Sequence, residues 1–205
     1  MFNKEYLFEI SNQIREYILE NSIPYIKIDP RESTTYPEKI FFNSTESPIF
    51  HTKGMLLLLH KKRFNLNDIT GLEKDIAHLL TFECNLKKEF FDIKKIQEKF
   101  QDYTGTQLRA KYANRVVEVD IKHMNEYDWK VDNIQIEVKT DCWMNTGNIS
   151  LELLRDYNDK RPTNIGSVLK TKSVFWQDYF YDKRTLKCSS EVYLAKQLQD
   201  ETDKA

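Results

Sequence analysis

The stretch Tyr127-Asp128-Trp129-Lys130-Val131-Asp132-Asn133-Ile134-Gln135-Ile136-Glu137-Val138-Lys139 decides how this chain folds. Apolar and polar residues alternate on both sides of Asp132-Asn133, the period of a strand whose side chains leave on opposite faces in turn. Asp and Asn tolerate positive φ, so the pair predicts a two-residue turn between antiparallel strands. Counting outward from that turn sets Val131 against Ile134 and Asp128 against Glu137. Directly opposed residues on one face hold their Cβ atoms roughly 4.5–5.5 Å apart. Lys139, two residues beyond Glu137, shares its face. The other face carries Trp129, Val131, Ile134, Ile136 and Val138, an apolar set suited to docking on a helix.

Two carboxylates held that close repel unless positive charge sits between them. A hard divalent cation such as Mg²⁺ or Mn²⁺ satisfies both with oxygen ligands. A lysine beside the pair can orient a water or stabilise charge developing on a phosphate. The same alternation also describes the solvated face of an ordinary amphipathic hairpin, built from Glu126, Asp128, Lys130, Gln135, Glu137 and Lys139. Spacing alone leaves both readings open.

Upstream of the hairpin the period is helical. Leu7, Ile10, Ile14, Tyr17 and Ile18 predict a first helix, and Ile23–Ile28 a short strand closed by Asp29-Pro30. Residues 31–54, polar and broken by Pro37 and Pro48, are expected to be a loop. Met55–Leu59 is a buried strand or a helix turn. A second helix follows Asn67-Asp68 with Ile69, Leu72, Ile76, Leu79 and Leu80 on one stripe. A third starts near Leu86, with Ile93, Ile96, Phe100 and Tyr103, and runs on past Gly105 toward Asn114. From residue 115 the period becomes two. Arg115–Ile121, Tyr127–Val131, Ile134–Val138 and the alternation of Ile149, Leu151 and Leu153 predict four strands. Residues 1–85 and 86–190 could form separate layers, followed by a tail over 191–205.

No apolar run approaches the roughly 18 residues that span a bilayer. The opening Met1-Phe2-Asn3-Lys4-Glu5-Tyr6 lacks the basic and apolar segments of a secretory signal. Cys84, Cys142 and Cys188 are far apart in sequence and form no Cys-x-x-Cys pair. His51, His60, His78 and His123 are likewise dispersed, which speaks against structural zinc and for a reducing cytoplasm. The 31 basic and 32 acidic residues nearly cancel, so a signal for a polyanionic partner must be local. It lies between Asp159 and Lys187. There seven basic residues, among them Lys170, Lys172, Lys183 and Arg184, face three acidic ones. Phe175, Trp176, Tyr179, Phe180 and Tyr181 are interleaved with them. Basic groups bind phosphates and aromatics stack on bases; alternatively these aromatics are the core of a late strand or helix.

Asp128 followed by Glu137-Val138-Lys139 resembles the PD-(D/E)XK nuclease superfamily, in particular its phage and bacterial members. Thr146-Gly147-Asn148, Ile165-Gly166-Ser167, Lys172 and Trp176 are similar to its later elements, and the resemblance covers about residues 95–182. It implies a restriction-endonuclease-like core over 86–190, a mixed α/β (α+β) fold with a central mixed sheet flanked by helices and preceded by a helical N-terminal region. It implies that Asp128 and Glu137 with the Val138 carbonyl hold the metal and that Lys139 is the catalytic lysine. The Pro of the motif's name is absent, since Glu126-Tyr127 precede Asp128. Members also use an acid from the first core helix, for which Glu98, Asp102 and Glu89 are candidates. The implied activity is Mg²⁺-dependent hydrolysis of DNA. The alternatives are a non-catalytic nucleic-acid- or protein-binding module and a viral RNA endonuclease acting in the host cytoplasm. Both a monomer and a homodimer are compatible with the sequence.

Overall fold

A computed structural model describes residues 48–51, 54–88, 96–119, 126–141, 147–155, 164–182 and 184–204. The first helix and strand expected upstream, Glu89 and Lys183 lie outside the described residues. In chain order the elements are β1 (Pro48–His51), β2 (Gly54–His60), α1 (Gly71–Leu80), β3 (Phe82–Asn85), α2 (Ile96–Tyr112), β4 (Val116–Glu118), β5 (Trp129–Val131) and β6 (Ile134–Asp141). Then follow β7 (Asn148–Arg155), β8 (Asn164–Ile165), α3 (Ser167–Lys170), β9 (Phe175–Asp182), β10 (Lys187–Leu194) and α4 (Ala195–Thr202). The class is mixed α/β. A six-stranded mixed sheet has the order β3-β10-β9-β6-β5-β4, in which β6 and β9 run parallel and the other neighbours antiparallel. A second, four-stranded antiparallel sheet has the order β1-β2-β7-β8.

The hairpin forms in the expected register, with Val131 opposite Ile134 and Trp129 opposite Ile136, and Asp132 takes the positive φ of the turn. Its apolar face docks on α2, where Phe100, Thr104 and Leu108, four residues apart, line one buried stripe. Gly105 completes the seat. A Cβ there would fall 2.1 Å from the Trp129 ring, so only glycine lets the indole lie on the helix. The Trp129 Nε1–H donates to the Gln101 carbonyl at 2.9 Å, and Arg109 covers the ring at 4.6 Å. The base of the hairpin is therefore tied to the middle of α2.

The central strand β9 is buried along its whole length because both of its faces are covered. Phe175 and Tyr179 pack toward α1 and α2. Trp176 and Phe180 pack against Leu57 and Leu59 of β2, Ile149, Leu151 and Leu153 of β7, and Leu198 of α4. The late aromatics are thus core, and none is free to stack on a base. The run Met55–Leu59 resolves as strand, because pairing along β7 buries Leu57 and Leu59 on the face turned to the larger sheet.

Five expectations are corrected. The stretch expected as a loop over 31–54 contains β1 among its described residues, paired to β2 from Pro48 to His51. Among the described residues, strand pairing crosses position 85/86: β2 pairs with β7, and β3 pairs with β10. The region 1–85 is not wholly helical either, since three strands lie in its described part. Residues 191–205 are not a tail. They hold the end of β10 and helix α4, with Ala195 and Leu198 in the core. Tyr103, expected on the buried stripe of α2, is 43% exposed.

Candidate active site

Asp128 lies immediately before β5, where the ladder becomes irregular. Its N–H donates to the Ile136 carbonyl at 2.9 Å, the strand residue already paired with Trp129. The carboxylate then turns along the edge of β6 instead of standing face to face with Glu137. Oδ2 accepts from the Val138 N–H at 2.6 Å, and Oδ1 accepts from Gln101 Nε2 at 2.8 Å. A strand residue sends its N–H and C=O out on the same edge. The Val138 carbonyl therefore faces the side occupied by the Asp128 carboxylate.

Glu137 and Lys139 project from the opposite face of β6 to Ile136 and Val138, and they are joined by an ion pair. Glu137 is buried, while Lys139 is partly exposed and carries its ammonium 5.6 Å from the centre of the Trp176 ring. The Asp128 carboxyl is pushed up to about 6, first by burial and second by the negative charge of Glu137; Lys139 and its two hydrogen-bond donors oppose the shift. This site is short of positive charge. The donors are all oxygen, which suits a hard divalent cation, and Asp128, Glu137 and the Val138 carbonyl fit one. Among the described residues, no three His, Cys, Asp or Glu side chains form a metal-holding group.

The helix residue that reaches Asp128 is Gln101. Glu98 and Asp102, the candidates within α2, are both exposed, because the turn of the helix that faces the hairpin is set by the Trp129–Gly105 contact. Sequence reasoning missed Gln101; its spacing of four from Gly105, on the side of α2 that meets the hairpin, was the available signal.

The basic residues do not form one surface. Lys170 and Lys172 precede β9, and Lys172 pairs with Glu126 at 2.7 Å, two residues before Asp128. The Glu126 carbonyl is held by the Thr171 and Ser173 hydroxyls, each at 3.0 Å. Arg184 follows β9 at its other end, where its backbone N–H donates to Asp182 at 2.8 Å. Eight extended residues separate the two groups by roughly 23 Å. Of the described basic candidates, Lys170 and Lys172 lie at the end of the sheet that carries Asp128.

Comparison with protein-family models, with curated proteins and with solved structures finds no match to this chain.

Proposed function

We propose that the protein is a metal-dependent nuclease of the PD-(D/E)XK type that hydrolyses phosphodiester bonds in DNA. The observation that carries this reading is the convergence of Asp128, Glu137, the Val138 carbonyl edge and Lys139 on one stretch of β6. The first three would hold Mg²⁺ or Mn²⁺. Such an ion supplies a Lewis acid for a phosphate oxygen and lowers the pKa of a water. Gln101 and the Val138 N–H fix the Asp128 carboxylate from two sides, so its lone pairs point in a set direction before any ligand arrives. Lys139 lies beside the pair with a free approach to solvent, where its charge can stabilise a phosphorane-like oxygen in the transition state. Lys170 and Lys172 provide phosphate contacts beside the Asp128 loop.

A second reading is favoured by the Glu137–Lys139 ion pair, which neutralises Glu137 without any metal. It makes the protein a non-catalytic nucleic-acid- or protein-binding module. The test is cleavage of linear, branched and single-stranded DNA and of RNA with Mg²⁺ or Mn²⁺, for the wild type and Asp128→Asn. Cation-dependent cleavage of DNA that vanishes in Asp128→Asn is expected. Cleavage of RNA alone makes it a ribonuclease, and binding without cleavage on any substrate makes it the non-catalytic module.

A further inference from the structure

A row of charge crosses three strands on the face of the large sheet that looks toward β2 and β7. Lys139 on β6 is the register partner of Asp178 on β9, and Asp178 is the register partner of Glu191 on β10. Glu191 is fully engaged: Lys61 binds one oxygen at 2.7 Å and the Tyr193 hydroxyl donates to the other at 2.7 Å. Asp178 is not. It is 2% exposed, its Oδ1 has no hydrogen-bond partner in bonding geometry, and the nearby donor on its own strand is the Trp176 indole N–H, itself otherwise unpartnered. Leaving a buried polar atom unmatched is costly, more so when it is charged.

Two lysines stand within reach of its charge. Lys61 is held by Glu191 and lies over the Phe180 ring at 3.1 Å. Lys139 is held by Glu137, one of the two carboxylates that would take a metal. When Glu137 turns to a cation, Lys139 loses its partner. Two further anions share its face: Asp141, two residues on along β6, whose Oδ2 accepts from the Ser150 N–H at 3.1 Å, and Asp178, one strand away, whose Oδ1 has no hydrogen-bond partner. We infer that Asp178 is the second anchor of Lys139, a positioning residue that keeps the ammonium over the site once Glu137 is otherwise engaged. The inference rests on the reading of Lys139 as the catalytic lysine, but the contact itself can be tested apart from cleavage.

The experiment follows the Lys139 ammonium by ¹H–¹⁵N NMR, where only a hydrogen-bonded lysine NH₃⁺ exchanges slowly enough with water to be seen; Lys139→Ala assigns the signal. Glu137→Gln removes the first partner's charge, and the signal is expected to shift but survive. In Glu137→Gln/Asp178→Asn it is expected to vanish. Loss of the signal in Glu137→Gln alone, or its survival in the double variant, overturns the inference. Should Asp178→Asn not fold, Asp178→Ser takes its place in the same series. Single-turnover cleavage supplies the second readout. Asp178→Asn is expected to lower the rate by on the order of 10–10², as misplacement of a catalytic group does, at unchanged affinity for DNA. In a Lys139→Ala background it should lower the rate no further. Additive losses in that cycle overturn the positioning role. A wild type that cleaves nothing sinks the nuclease reading, while the ammonium signals still decide the Asp178 contact.

Discussion

The two ends of one hairpin treat an aspartate in opposite ways. At the closed end, Asp132 is exposed, and Arg115 pairs with it and holds its carboxyl below the usual carboxylate range. At the open end, four residues earlier, burial and the neighbouring Glu137 push Asp128 up to about 6. The first carboxylate has the positive charge it calls for and the second does not. A carboxylate left without a counter-charge, built from the same side chain on the same ribbon, is the kind of perturbed group that clusters at functional sites.

The largest expected effect separates the ends by rate. Lys139→Ala leaves Asp128, Glu137 and the Val138 carbonyl in place, so fold and metal binding survive. Loss of a cation acting on transition-state charge typically costs on the order of 10²–10³ in rate. Single-turnover cleavage at saturating Mn²⁺ measures it, with DNA affinity in Ca²⁺ as the control. A wild-type rate would remove Lys139 from the chemistry and leave the open end of the hairpin with no catalytic distinction from the closed end.

Next comes the pH dependence of stability, measured by denaturant titration without metal. Asp128 ionises near 3.8 in the unfolded chain and near 6 in the fold. Between those values the folded state binds more protons, so stability falls as pH rises, by up to about 3 kcal/mol. Asp178, pushed up to about 7 chiefly by burial, adds a slope of the same sign that reaches higher pH. Asp128→Asn should flatten the lower part of the window and leave the upper part. Mn²⁺ should raise the melting temperature of the wild type, by binding the folded state alone, and not that of Asp128→Asn. An unchanged pH slope in that variant would mean that the charge deficit lies elsewhere.

The seat of the hairpin is tested by Gly105→Ala. The added methyl meets the Trp129 ring at a distance no atom pair tolerates, so the indole must leave its place and with it the bond to the Gln101 carbonyl. Overpacking of this kind costs typically 1–3 kcal/mol. Because Gln101 also holds Asp128, metal affinity should fall together with stability. Destabilisation at full metal affinity would show that Asp128 is positioned by β6 alone.

Much of this was legible from residue patterns, for reasons that differ along the chain. The hairpin announced itself because one of its faces is continuously apolar and its turn needs a residue that accepts positive φ. Helix α1 and the body of α2 were visible through their apolar spacing, although that spacing set the start of α2 near Leu86 and the helix begins at Ile96. The strand β10 was not, because its inward residues include Ser190, whose hydroxyl bonds Gln177 at 2.8 Å and the Leu80 carbonyl at 2.6 Å. A buried polar network linking α1, α2 and β9 replaces the apolar alternation that would have betrayed it, with Thr104 closing the chain of bonds to Gln177. The strand β3 is four residues long and takes its partner from more than a hundred positions downstream. At the site, Asp128, Glu137 and Lys139 stood out by type and spacing. The contribution of Gln101 depends on which turn of α2 meets Trp129, and that of Asp178 on a parallel pairing between β6 and β9; neither is a local property of the sequence.

The smallest expected effect belongs to Asp132. Its folded-state pKa is depressed, so its pairing with Arg115 contributes stability at neutral pH that is lost as pH falls through the acid range. Both partners stand well into solvent, where salt screens the attraction and side-chain ordering offsets it. Asp132→Asn removes the charge while keeping a residue that tolerates the positive φ of the turn. The melting temperature should then be unchanged in moderate salt, and the pH slope discussed above should persist in full. Asp132→Val separates charge from backbone, because a β-branched residue resists positive φ and should loosen the turn measurably. If Asp132→Asn instead weakened Mn²⁺ binding as strongly as Asp128→Asn, the two ends of the hairpin would be electrostatically one unit, and the contrast between a completed and an uncompleted carboxylate would fail.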